Sequence, residues 1–236
     1  PHDPHVPRVP HPRFAGKSGL GPRGDAIVQL DWSVGEIIAT LDRLSLASNT
    51  VVIMTSDNGP VIDDGYQDES VARLGKHRPS GPFRGGKYSN FEAGTRIPFV
   101  VRWPARVKPG VSDALVAQID LLRSLAALTG QPLAAGDAPD SSDTLTAFTG
   151  ASTVGRTSLV LQGSGLSLRV GHWKYIEPSS RQKVNRETNT ELGNDSVPQL
   201  YDLSSDRGET NNVAGQHPQR VAEMAALLQT LRGSSR

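Results

Sequence analysis

Val51-Val52-Ile53-Met54-Thr55-Ser56-Asp57-Asn58-Gly59-Pro60 decides how the rest of the chain reads. A β-branched apolar run ends in two oxygen-bearing side chains and then Gly-Pro. Such a run predicts a fully buried central strand over 50–56, with Gly-Pro as the turn that stops it. Asp57 and Asn58 then lie at the carboxyl end of the strand, where open α/β sheets place their ligand sites. One anionic and one neutral oxygen donor on a rigid strand end suit a hard divalent cation such as Ca²⁺ or Mg²⁺. An Asx-type turn that merely closes the strand is the plainer reading of the same residues.

Upstream, residues 1–24 are rich in Pro, His, Arg and Gly. Pro1, Pro4, Pro7, Pro10 and Pro12 fix φ repeatedly, so this segment is extended and stiff and can hold a side chain in a fixed place. Asp25 is a plausible N-cap for a helix running to about Leu44. Ile27, Leu30, Val34, Ile37, Ile38 and Leu41 recur at helical spacing and predict one apolar face packed on a sheet. Downstream, the polar stretch Val61 to Pro82 is longer than an ordinary connection, and long ordered loops are more often functional than structural. Arg84-Gly85-Gly86-Lys87 and Glu92-Ala93-Gly94-Thr95-Arg96 follow it. A second buried strand is expected over Ile97–Trp103, stopped by Pro104. A second helix is expected from Asp120 as cap, with Leu121, Leu122, Leu125 and Leu128 inside and Gly130 past its end.

A Pro/Gly/Ser/Asp-rich linker covers about 131–156, and beyond it the pattern changes. Ser158–Gln162, Leu166–Val170, Trp173–Ile176 and Gln199–Leu203 are short strand-like runs in quick succession, which predict an antiparallel meander. Val221, Met224, Leu227, Leu228 and Leu231 repeat at helical spacing in the tail. A strand ladder with one amphipathic helix makes a small α+β subdomain, so the chain divides into 1–152 and 153–236.

The 236 residues, 36% hydrophobic and 21% charged, fit one α/β unit with a smaller companion. A net charge of +1 gives no bulk attraction to nucleic acid or an anionic membrane. No apolar run reaches the roughly 18 residues that span a bilayer. Cysteine is absent, which excludes disulfides, Cys-ligated zinc and a Cys nucleophile within these residues. The opening Pro1-His2-Asp3-Pro4-His5 reads as the interior of a longer protein, so the lack of a leader carries no information.

Several separated pieces together resemble the C-terminal half of a sulfatase of the arylsulfatase type, within the alkaline-phosphatase-like superfamily. They are Pro4-His5-Val6-Pro7, Arg23-Gly24-Asp25, Thr55-Ser56-Asp57-Asn58-Gly59-Pro60, Arg84-Gly85-Gly86-Lys87 and Glu92-Ala93-Gly94-Thr95-Arg96-Ile97-Pro98. Trp103-Pro104, Asp120-Leu121-Leu122 and Leu200-Tyr201-Asp202-Leu203 with Asp206, Glu209 and Asn212 complete the set. The resemblance implies part of an α/β/α sandwich followed by the small α+β subdomain. It also implies hydrolysis of a sulfate ester, with sulfated carbohydrate the expected substrate. In this family a formylglycine hydrate attacks sulfur in line, and one bound Ca²⁺ (Mg²⁺ less so) holds nucleophile and sulfate. Asp57 and Asn58 match the family's late pair of metal ligands. Lys87 matches the lysine that contacts the sulfate oxygens, and His5 the histidine beside the scissile oxygen. His2 has the same Pro-His-x-Pro setting, but the spacing to Arg23-Gly24-Asp25 favours His5. An exported or lysosomal location (periplasmic, secreted or lysosomal) is likewise a family expectation.

The departure from the pattern lies upstream. The family's Cys/Ser-x-Pro-x-Arg nucleophile motif and first Asp pair are not in their places here. Ser80-Gly81-Pro82-Phe83-Arg84 fits the bare motif but lies after the Asp-Asn pair and is followed by Gly85-Gly86, so it is rejected. The expectation is therefore a fragment, inactive alone, whose nucleophile lies upstream. Two alternatives remain open. One is a phosphomonoesterase or phosphodiesterase of the same superfamily, which would use two metals about 4 Å apart. The other is a non-catalytic glycan-binding remnant.

Overall fold

In the computed structural model, which describes residues 5–134 and 136–234, the chain is a mixed α/β protein whose sheets are antiparallel. Helix α1 spans Gly21–Arg43. It starts before the expected cap Asp25, because Pro22 in its first turn has the φ a helix start needs and lacks an N–H that would go unused there. Asp25 is instead buried within the helix. Its carboxylate accepts hydrogen bonds from the Gly16 and Ser18 amides (2.7 and 2.9 Å) and from Ser18 Oγ (2.7 Å). Burial pushes this carboxyl up, yet those bonds hold it below its ordinary value. The residue expected to cap the helix ties down the loop in front of it.

Strand β1 (Val52–Thr55) pairs antiparallel with β2 (Phe99–Arg102), Val52 facing Arg102 and Thr55 facing Phe99. All four residues of β1 are half-buried, and β2 is its sole partner among the described residues, so the fully buried central strand is not what is observed. The α1 face expected to pack on a sheet likewise stays open, with Ile27 42% and Ile37 56% exposed. Pattern reports which side chains favour burial; it does not supply the layer that covers them.

A single helical turn, α2 (Glu92–Thr95), stands between the strands. Helix α3 (Asp120–Thr129) ends where expected, at Gly130 in the left-handed region (φ 68°). Asp120 is not its cap. It is fully buried and accepts from the guanidinium of Arg156 (Nε 2.9 Å, Nη2 2.6 Å) and from the Ser142 amide (2.9 Å). Leu122 and Leu125 are exposed, and the buried residue of that face is Ser124, whose Oγ accepts from the Thr144 amide. The expected linker contains a helical turn of its own, α4 (Leu145–Phe148), and is held by Arg123 and Arg156.

The remaining strands are β3 (Ser158–Gln162), β4 (Leu166–Val170), β5 (Trp173–Ile176), a short hairpin of β6 (Val184–Asn185) and β7 (Thr190–Glu191), and β8 (Gln199–Asp202). The main sheet has the order β3-β4-β5-β8, the expected meander, and α5 (Pro218–Ser234) packs on it. Successive strand residues point to opposite faces. Leu168, Tyr175 and Leu200, aligned across three strands, form a core with Met224 and Leu228 of α5. The opposite face carries the row Arg169, Lys174 and Tyr201, and it too is buried. Ile176, Tyr201 and Leu203 pack there on Phe91, the residue before α2. The sheet therefore grips the start of α2 from behind.

Candidate functional site

The chain leaves β1 at Thr55 and turns through Ser56–Pro60 directly onto the segment Gly86–Gly94. The Gly59 amide donates to Gly94 O (3.0 Å), and the Lys87 amide donates to Pro60 O (2.8 Å). A Cβ on Gly59 would lie 1.6 Å from Ala93 O, one on Gly86 2.6 Å from Pro60 O, and one on Gly94 2.1 Å from Ser89 O. The two turns meet main chain to main chain, an approach that only glycine permits. Gln118 braces the strand end, donating from Nε2 to Ser56 O (2.8 Å). The Lys87 backbone is thus held beside Pro60, two residues past Asn58.

The side chains at this joint are left with capacity to bind. Asp57 is exposed, and its one contact is the Ser56 hydroxyl at 3.4 Å, with no cation paired to it among the described residues. Asn58 donates from Nδ2 to Gly59 O (2.9 Å), so its Oδ1 is the oxygen available as an acceptor. Lys87 is half-buried, with its ammonium 5.5 Å from the Tyr88 ring and no carboxylate against it among the described residues. A free carboxylate, a free amide oxygen and an uncompensated ammonium match the donor set for a hard cation beside an oxyanion. Two oxygens are only part of the roughly six to eight that Ca²⁺ takes. Among the described residues no three His, Cys, Asp or Glu side chains gather as a metal group.

His5 is exposed, with Nδ1 3.2 Å from Val6 O. His2 lies outside the described residues. The segment after His5 is anchored by Arg8, whose buried guanidinium pairs with Asp64 and Asp68 and donates to Ser70 Oγ (2.9 Å). Burial pushes the Asp68 carboxyl up, but bonds from Ser70 and Arg8 hold it below its ordinary value. The His5 segment and the loop after the Asp-Asn pair are therefore one assembly. That loop, residues 61–82, has no helix or strand, and His77 on it is exposed. Ser80, of the rejected nucleophile motif, donates weakly to Gly85 O (3.4 Å) within its own turn.

Sequence reasoning missed the charged cluster behind α2. Glu92 is buried and accepts from Lys174 Nζ (3.0 Å), Arg169 Nη1 (2.8 Å) and Arg96 Nη1 (3.3 Å). Burial opposes its charge, but Lys174 and Arg169 outweigh it and draw the carboxyl down to about 2. Glu209, fully buried, accepts from the Glu92 amide through Oε2 (2.6 Å). The available signal was Lys174 inside the apolar run Trp173–Ile176, which alternation alone assigns to solvent.

A model of the sulfatase family matches residues 1–131. The chain belongs to the sulfatase family. It is 58% identical over 232 residues to a Bacteroides thetaiotaomicron protein named N-acetylgalactosamine-6-O-sulfatase, an alignment covering 98% of this chain and 45% of that protein. Human arylsulfatase A is 32% identical over 228 residues, covering 91% of this chain and 43% of that protein. A solved structure from work on glycosaminoglycan metabolism by Bacteroides thetaiotaomicron superposes with a TM-score of 0.95 at 58% identity, over 98% of this chain and 48% of that one. A sulfatase from Pseudoalteromonas sp. shares the fold at 23% identity (TM-score 0.77, 98% of this chain and 46% of that chain). The fold is that of the alkaline-phosphatase-like sulfatases. The chain spans about half the length of the curated relatives it matches.

Proposed function

We propose that the whole protein hydrolyses sulfate esters on a sulfated carbohydrate, with a 6-sulfated N-acetylgalactosamine of a glycosaminoglycan as the favoured substrate class. The observation that carries the reading is the backbone joint that sets Lys87 beside the Asp57-Asn58 turn. Family membership and the name of the relative at 58% identity support the choice of ester and sugar.

In this reading Asp57 and Asn58 supply two oxygens to a divalent cation, taken to be Ca²⁺. When bound, that ion neutralises charge on the sulfate and on a formylglycine nucleophile provided elsewhere in the whole protein. Lys87 places an ammonium against a non-bridging sulfate oxygen, where it offsets charge on the equatorial oxygens as the nucleophile attacks sulfur. His5 donates a proton to that departing oxygen. The loop 61–82, tied to the His5 segment through Arg8, forms the rim that contacts the sugar.

The experiment is sulfate release by the full-length protein from N-acetylgalactosamine 6-sulfate, with phosphate monoesters and sulfated aryl compounds as comparators. Release from the sulfated sugar, lost by a factor of about a hundred or more in Lys87→Ala, is expected. Preferential release of phosphate would replace this reading with the phosphoesterase one. The 236 residues alone are expected to bind Ca²⁺ weakly and to release no sulfate, which calorimetry and the same assay measure.

A further inference from the structure

Behind the joint lies a buried set of charges whose contacts lead directly to it. Glu209 Oε2 accepts the Glu92 amide at 2.6 Å, and Glu92 opens α2. The next two residues, Ala93 and Gly94, carry the carbonyls that abut and bond Gly59. The Ala93 amide donates to Arg84 O (3.0 Å), and Arg84 Nη1 donates back to Glu209 O (2.6 Å). Lys174 of β5 reaches α2 from the sheet, 3.0 Å from Glu92 Oε1 and 3.9 Å from Glu209 Oε1. Glu209 Oε1 is buried without a hydrogen bond. We propose that Glu209 and Lys174 are positioning residues for the Asp57-Asn58 turn, and that the protonation state of Glu209 decides how Lys174 is shared with Glu92. The inference rests on the sulfatase reading of that turn.

The groups facing Glu209 come from every element around it. They are Lys174 from β5, Tyr201 from β8, Glu92 from α2 and Arg84 from the preceding loop, with Glu191 of β7 paired to Arg84 and Asp206 on the turn of Glu209 itself. Arg169 and Arg96 occupy the other oxygen of Glu92. An ionised Glu209 draws the Lys174 ammonium across the 3.9 Å gap and away from Glu92. A protonated Glu209 leaves Lys174 to Glu92 alone. Burial, against the pull of Lys174, pushes the Glu209 carboxyl up to about 7, so the exchange falls near neutral pH. Because α2 meets Gly59 through main-chain atoms, no side chain lies between them to absorb a displacement.

Calcium affinity of the full-length protein, measured by calorimetry at pH 6 and pH 8, tests this directly. Wild type is expected to differ between the two pH values by about tenfold, the scale on which residues behind metal ligands act. Glu209→Gln keeps an acceptor for the Glu92 amide and is expected to abolish that difference while remaining folded at both pH values. Lys174→Met is expected to weaken calcium at both pH values, and Lys174→Arg to recover most of the affinity. If Lys174→Met does not fold, Glu209→Gln decides alone. The proposal is overturned if Glu209→Gln keeps the wild-type pH dependence, or if a folded Lys174→Met binds calcium as wild type does. A sulfate-release assay on the same samples separates the two readings. No release with pH-dependent binding intact overturns the sulfatase reading and leaves the clamp standing, whereas a wild type without calcium affinity overturns both.

Discussion

Gly59 touches Ala93 O so closely that a single methyl group has no room, the built Cβ falling 1.6 Å from that oxygen. Gly59→Ala must therefore separate the two turns. It is expected to destabilise the protein by about 3 kcal/mol or more, read from urea unfolding, and to weaken the proposed calcium binding alongside. The glutamates behind the joint give opposed pH dependences. Glu92, drawn from 4.5 down to about 2, contributes stability that is present above 4.5 and lost as pH falls toward 2. Glu209, pushed from 4.5 up to about 7, contributes stability that is full below 4.5 and lost as pH rises toward 7. Unfolding measured from pH 5 to 8 should thus show stability declining by on the order of 3 kcal/mol in wild type, and the decline should vanish in Glu209→Gln. Asp57, Asn58 and Lys87 stood out as candidates because they lie in short motifs. The glycine contact was not, since a glycine demanded by tertiary approach looks the same in sequence as one demanded by a turn.

Elements with a clean period were readable, and those shaped by tertiary partners were not. The strands β3, β4, β5 and β8 and the helix α5 fall where the alternation and helical spacing placed them. The hairpin β6–β7 has two residues per strand, too few for a period to show. Asp120 illustrates a different failure. Its position before a leucine-rich run suggested a cap, while its role is to meet Arg156, which is distant in sequence. Breaking that pair by Arg156→Met leaves a carboxylate buried without its cation, expected to cost about 3–5 kcal/mol and to be measurable by thermal or urea unfolding. Replacing Leu228, 1% exposed at the centre of the α5 contact, by Ala is expected to cost about 2–5 kcal/mol by the same measurement.

Across the molecule, burial is uneven. The C-terminal sheet is covered on both faces, whereas α1 and the turn after it expose Ile27, Trp32, Ile37, Leu44 and Leu46. Exposed apolar patches of this kind favour association. The 236 residues on their own are expected to sediment as self-associated species, and Ile27→Glu with Ile37→Glu to shift them toward monomer. Fold class was legible because it follows from the order of periodic elements. The extent of coverage was not, because it depends on which surfaces meet. The Pro60 O to Lys87 N hydrogen bond has one more consequence. It staples the long irregular segment at its neck, so that residues 61–83 leave and return at one point like a bag closed by a drawstring, while Arg84 and Gly86 stay in the joint. Away from Asp64, Asp68 and Ser70, which hold Arg8, its contents can lengthen, shorten or change character while the neck keeps its shape. Under the proposed function, a graft there from a relative should then transfer preference for a sugar without disturbing Asp57, Asn58 and Lys87.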